Sequence, residues 1–201
     1  YLKKNFWKGK KVFVTGHTGF KGSWLSIWLE TLGAKVIGVS KDIPYTPSNF
    51  AASNLASILD DHRFDVLDFD KLNFLVQENK PDYVFHLAAQ PLVRESYLSP
   101  ISTIKSNAIG TANILECIRG LEKKVNVIMI TSDKAYDNLE WKWGYRETDR
   151  LGGKDPYSAS KGMAELVIRS YVESYFKNNE INDIRVGIGR AGNVIGGGDW
   201  S

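Results

Sequence analysis

Residues 12–22 read VFVTGHTGFKG. VFVTG (12–16) is a short apolar run closed by glycine, the pattern of a strand buried on both faces. FKGSWLSIWLETLG (20–33) carries apolar residues at helical spacing and ends at Gly33, which suits a C-cap. Between strand and helix, Gly16, Gly19 and Gly22 form GxxGxxG. Such a turn aims backbone N–H groups and the positive end of a helix at a pyrophosphate. Missing side chains let the phosphates approach closely. A glycine-rich turn without a ligand is the plainer alternative. The strand before it and the helix after it are the context that a dinucleotide site requires. His17 and Thr18 are either phosphate partners or solvent-facing loop residues, and Phe20 and Lys21 belong to the same binding turn.

Outward from this loop, strand-like and helix-like patterns alternate. AKVIGVS (34–40) is a second buried strand, and DHRFDVLD (61–68) holds a short third. DKLNFLVQENK (70–80) is a helix stopped by Pro81, and DYVFHLAA (82–89) is a fourth strand. A long helix starts near Pro100 and runs through IKSNAIGTANILECIRG. VNVIMITS (125–132) is the fifth strand, YSASKGMAELVIRSYVESYF (157–176) a helix, and DIRVGIGRAGNV (183–194) the sixth strand. Repeated β–α–β units imply parallel strands with right-handed crossovers. The expected architecture is α/β: a Rossmann-type, doubly wound parallel sheet with helices on both faces. Residues 41–60 and 135–156 read as irregular, and Trp24, Trp28, His86 and Cys117 as core.

Composition narrows the function. Hydrophobic residues make up 43% and charged residues 24%, the balance of a soluble globular protein. A net charge of +3 with dispersed basic residues argues against nucleic acid; the one basic cluster, KKNFWKGKK (3–11), reads as a solvated lead-in. No apolar run is long enough for a bilayer, and a signal-peptide core is lacking. One cysteine forms no internal disulfide, so the expected compartment is the cytoplasm. The three histidines and the cysteine are scattered, so no metal site is expected.

The second strand ends VSKD, placing Ser40 and Lys41 where an acid gripping a ribose 2′-OH would stand. NAD is the expected cofactor, and Lys41 keeps NADP open. Asp65, with Val66 beside it, is a candidate for the adenine edge, or simply a turn cap. YSASK places Tyr157 and Lys161 one helical turn apart on one face. A phenol titrates near 10, and a neighbouring ammonium stabilises its phenolate, which makes the pair a general base for an alcohol proton. Ser132 ends the fifth strand, where the carboxyl ends of parallel strands border the ligand crevice, and can share a substrate hydroxyl with Tyr157.

TGHTGFKG, HLAAQ (86–90), the Ser132/Tyr157/Lys161 set and RAGNVIGGGDW (190–200) resemble the extended short-chain dehydrogenase/reductase family over nearly the whole chain. TSDKAYDN (131–138), EWKWGYRETD (140–149) and GGKDPYSASKG (152–162) are similar to its CDP-glucose 4,6-dehydratase branch. The resemblance implies transient oxidation at C4 of a nucleotide-glucose, loss of water across C5 and C6, and hydride return to C6. Asp133 and Lys134 stand where related dehydratases carry an Asp–Glu pair. The positions make Asp133 the acid and Lys134 the C5 base, the reverse or a shared proton staying open. It further implies that Leu87, Ala88, Ala89 and Arg190 line the dinucleotide, that Gln90 and Asn193 meet substrate, and that Asn107 meets substrate or braces the catalytic water or helix. Trp141 and Trp143 cover the sugar, stack on the base or pack their own loop. Two helices at about 99–120 and 157–176 imply a homodimer through a four-helix bundle. A C-terminal substrate-binding part is expected beyond this chain, along with a role in deoxysugars for bacterial surface polysaccharide such as O-antigen. A 4-epimerase is the alternative on the same fold. A dinucleotide-binding fragment without activity is the alternative for this chain.

Overall fold

The computed structural model describes residues 5–177 and 183–199. Lys3 and Lys4 of the basic stretch and Trp200 of the last motif lie outside them. Six strands form one sheet: β1 (Lys11–Thr15), β2 (Lys35–Ser40), β3 (Asp60–Arg63), β4 (Tyr83–His86), β5 (Val125–Ser132) and β6 (Ile184–Ala191). Every pairing is parallel, in the order β3-β2-β1-β4-β5-β6. The connections leave β1 on opposite sides, so the chain reverses direction across the sheet between β1 and β4. A crevice must open above their carboxyl ends.

Alternation along the strands explains the two layers. Phe13 packs with Leu72, Ile114, Ile118 and Ile168, which belong to α3 (Phe69–Asn79), α6 (Gly110–Arg119) and α7 (Pro156–Tyr171). Val12 and Val14 face the other way, onto Leu29 of α1 (Phe20–Thr31) and Phe50 of α2 (Asn49–Ala52). On that second face Ile128 and Ile130 of β5 are only half-buried. The expected doubly wound sheet is therefore present.

Several local readings change. The stretch 41–60 contains α2, capped by the Ser48 hydroxyl, and a 3-10 turn at Leu55–Ser57. α4 (Val93–Leu98) is an element the pattern missed. The long helix is α5 (Pro100–Ile104), a π-helical turn (Lys105–Ile109) and α6 in succession. Trp24 and Trp28 are about half exposed, so they are not core: α1 buries Gly22, Ser23 and Ser26 instead, because small residues let it lie close to the glycine loop. Val66 is buried against Gly110 and so packs in the core rather than lining a crevice. His86 is core as expected. Its ring nitrogens meet Thr15 and Thr111 hydroxyls, and burial holds it neutral at about 3. Cys117 is buried with its thiol pushed up to about 12, again a core residue.

Candidate active site

The glycine loop is built from constraints of two kinds. Gly16 has φ +75°, and a Cβ there would lie 2.7 Å from Ala88 N and 2.8 Å from Leu87 C. A Cβ on Gly22 would lie 2.1 Å from the Gly16 carbonyl oxygen. Both are glycine because the chain packs on itself. Gly19 differs: its Cβ would have 3.4 Å to the Gly16 oxygen as its nearest neighbour, and its backbone is ordinary. Gly19 is the N-cap of α1 and offers no side-chain cap, at a position where Ser, Thr, Asp or Asn is favoured. A bare, roomy helix N-terminus fits a dinucleotide pyrophosphate.

His17 and Thr18 do not present their side chains to this cradle. The His17 ring is fully buried beneath Gly38, whose Cβ would sit 2.5 Å from it. Its Nε2 meets Asp61 at 2.8 Å, and its Nδ1 meets the Ser40 hydroxyl at 3.1 Å. Burial lowers its pKa against the pull of Asp61, which favours the neutral ring in this contact. Thr18 donates its hydroxyl to Asp42 O at 2.6 Å and its N–H to Ser40 Oγ at 3.2 Å. Ser40 is thereby a loop strut rather than a free ribose partner. Asp65 caps its own turn, accepting from Leu67 N at 3.0 Å, and lies 3.7 Å from exposed Lys41. Beside β1, the Thr15 hydroxyl accepts from the N–H groups of Leu87 and Ala88, fixing the segment that runs on to Ala89 across the crevice.

The catalytic helix starts by local rules. Asp155 caps α7 through the Ser158 N–H at 2.9 Å, and Pro156 opens it. Tyr157 and Lys161 are buried, with the Lys161 Nζ 5.9 Å from the phenol ring centroid. Ser132 lies within hydrogen-bond reach of the Tyr157 phenol, donates to Asp133 Oδ1 at 3.0 Å and accepts from Lys134 N at 3.2 Å. Asp133 and Lys134 form a 3-10 turn and are exposed. The two sequence-predicted sets thus meet at the end of β5.

Their electrostatics depart from expectation in one respect. Burial holds the Tyr157 phenol above its ordinary value; the Ser132 bond opposes this, while the charges of Asp133 and Asp155 reinforce it. The ammonium of Lys161 does not overcome burial here. Lys161 itself is pulled down to about 8 by burial and by the like charge of Lys21, against Glu165. Lys21 therefore faces the same crevice, and two cations there favour an anionic ligand. A measurable consequence concerns stability. With its folded value at about 8 and its ordinary value 10.5, Lys161 costs stability fully below pH 8, and that cost fades up to pH 10.5. Lys161→Met should stabilise the fold near pH 7 by on the order of 3 kcal/mol, seen as a higher melting temperature, and lose that advantage above pH 10.5. Melts across pH without added dinucleotide test this.

Gln90, Asn107 and Arg190 are engaged within the fold, Asn107 as the helix brace that was one of its two expected roles. Asn107, buried on the π-helical turn, accepts from Gln90 N at 2.8 Å and donates to Gln90 O and Ser160 Oγ. Ser160 in turn donates to Tyr157 O at 2.6 Å, so Asn107 braces the first turn of α7. The Gln90 amide is spent on Leu92 O and Thr103 Oγ1. The Arg190 guanidinium is clamped by Glu165 and Tyr136. An acidic residue at 165, one turn past Lys161 and on the same face of the helix, was the sequence signal for that clamp. Asn193 is exposed at the start of a segment that returns over α1. There Phe20, Lys21, Trp24 and residues 194–196 line a cleft of about 410 Å³. Trp24 donates to Gly197 O at 2.8 Å.

Residues 13–181 match the family described as GDP-mannose 4,6 dehydratase. The chain is 52% identical to the CDP-glucose 4,6-dehydratase of Salmonella typhimurium, over 100% of this chain and 56% of that protein. Among solved structures, it resembles the UDP-glucose 4-epimerase of Thermotoga maritima with UDP-glucose, at TM-score 0.75 and 25% identity, over 90% of this chain and 54% of that one. It also resembles MoeE5 in complex with UDP-glucose and NAD, at TM-score 0.69 and 26% identity, over 90% and 54% of the two chains. The chain spans about half the length of the curated relatives it matches.

Proposed function

Because the chain belongs to the GDP-mannose 4,6 dehydratase family, we propose that it carries the catalytic machinery of an NAD-dependent CDP-glucose 4,6-dehydratase. The observation that carries this is the exposed Asp133–Lys134 turn adjoining Ser132, Tyr157 and Lys161. A 4-epimerase needs only the oxidising set, whereas elimination needs an additional acid and base. The choice of CDP-glucose draws on the Salmonella relative's name and identity.

NAD fits the bare N-terminus at Gly19, and Lys41 has part of its charge engaged by Asp65, which favours NAD over its 2′-phosphate form. The chemistry supplied by bound NAD is acceptance of hydride from sugar C4 and its return to C6. Tyr157 takes the C4 hydroxyl proton, with Ser132 holding that oxygen, and relays it to the neighbouring Asp133 carboxylate, which so becomes the acid. The C4 ketone acidifies the C5 proton, which Lys134 removes while Asp133 protonates the departing C6 hydroxyl. One water leaves, and the proton on Lys134 returns to C5 as hydride reaches C6. Oxidation and reduction therefore cancel within one turnover.

Exposed Leu98 at the end of α4, Ile101 and Ile109 on the helical run that follows, and Met163 and Leu166 on α7 support a homodimer through those helices. A free, buried Cys117 suits the reducing cytoplasm. The test is the full-length protein with CDP-glucose and NAD, its product weighed by mass spectrometry. Loss of one water is expected. Unchanged mass with altered stereochemistry would make it an epimerase. Lys134→Ala should cut dehydration by about 10²–10⁴-fold while reduced dinucleotide builds up.

A further inference from the structure

Glu165 is buried on α7, one turn beyond Lys161. A buried carboxylate requires partners. Thr131, the residue before Ser132, donates its hydroxyl at 2.7 Å. Arg190 of β6 donates Nε at 2.7 and 2.9 Å, and its Nη2 makes a further bond to the same carboxylate. The other arm of that guanidinium, Nη1, donates to Tyr136 Oη at 2.6 Å and to Glu147 O at 3.2 Å. Its Cζ lies over the Tyr136 ring, 4.6 Å from the centroid. Tyr136 stacks on Tyr145 at 4.9 Å, and Tyr145 leans on Trp141 at 5.2 Å. One ion pair therefore touches the catalytic helix, the strand that ends in Ser132, and the loop that follows Asp133 and Lys134.

A buried ion pair is poor evidence of added stability, since apolar residues of like volume do as well. A forked guanidinium is needed only where several fixed acceptors must be held at once. We propose that Glu165 and Arg190 are positioning residues that latch the 136–147 loop to α7. The oxidising pair and the acid–base pair then address one sugar in one pose. This rests on the dehydratase reading, and the latch has a readout that does not.

The experiment compares full-length wild type with Arg190→Lys and Glu165→Gln by amide exchange and by kinetics. Arg190→Lys keeps the charge and loses the fork. Exchange across 137–147 should rise while α6 stays protected. In kinetics, kcat should fall about 100-fold, with sugar KM within about threefold. Reduced dinucleotide and 4-keto-glucose should escape before elimination. A structural role alone would lower the melting temperature and leave kcat per folded molecule and this leakage at wild-type levels; that result overturns the proposal. Unchanged exchange across 137–147 overturns it too. If the charge variants fail to fold, Tyr136→Phe removes only the hydroxyl that Arg190 bonds, and the same readouts decide. If wild type dehydrates nothing, the function reading fails by itself. Exchange then decides the latch, a rise keeping it and no change sinking it.

Discussion

Tyr157→Phe should lower kcat by about 10³-fold and leave dinucleotide affinity within about twofold. The phenol is the one acidic O–H beside Ser132 that α7 carries into the crevice, and replacing it changes no packing volume of consequence. Its ionisation sets the acid limb of the pH profile. Burial and the charges of Asp133 and Asp155 hold the phenol up, so activity should still climb with pH above neutrality. Two variants move that limb in opposite directions. Ser132→Ala removes the hydrogen bond that lowers the phenol, so the limb shifts to higher pH. Asp133→Asn removes a charge that raises it, so the limb shifts to lower pH. A profile of kcat/KM for the three proteins measures all of this. A Tyr157→Phe enzyme within tenfold of wild type would remove Tyr157 from the chemistry.

The fold was legible because buried parallel strands leave unbroken apolar runs, and VFVTG, AKVIGVS and VNVIMITS are such runs. β3 was harder: its residues are DDHR, a polar edge held by pairing with β2 rather than by its own pattern. α2 and α4 are too short for helical periodicity to register. At the site, residues that meet through local spacing were readable, as with Tyr157 and Lys161. So was the Asp133–Lys134 turn, because a strand ended there. What sequence could not show is which polar side chain is already spent. His17, Ser40, Gln90, Asn107 and Arg190 all have donor or acceptor types suited to a ligand. In the fold their partners are Asp61, Thr18, Thr103, Ser160 and Glu165, up to 53 residues away in the chain. Tertiary hydrogen bonds of that separation leave no periodic trace.

The glycine loop separates what the fold needs from what the ligand needs, and two single-methyl variants test the separation. Gly22→Ala should abolish measurable dinucleotide binding, weakening it by at least about 100-fold, and should destabilise the protein by about 3 kcal/mol or more. Its Cβ would lie 2.1 Å from the Gly16 oxygen, 2.7 Å from the Gly16 carbonyl carbon and 2.8 Å from His17 Cα. All three are backbone atoms, so no rotamer change relieves them. Nor can the loop retreat, since Gly16 N donates to Val39 O at 2.7 Å and His17 is wedged over Gly38. α1 must move off the sheet or the turn must open, and either scatters the N–H groups aimed at the pyrophosphate. Gly19→Ala adds the same methyl where the nearest atom is 3.4 Å away. It should leave the melting temperature within about 2 °C, because a substitution that makes no clash changes stability by only about 0.5 kcal/mol. Yet it should weaken dinucleotide binding by about tenfold or more, since the methyl stands where phosphate must approach. Calorimetric titration with NAD, paired with thermal melts, gives both numbers for both variants. If Gly19→Ala binds NAD like wild type, the pyrophosphate does not sit at the start of α1. The cofactor assignment then loses its structural support, while the steric account of Gly22 stands.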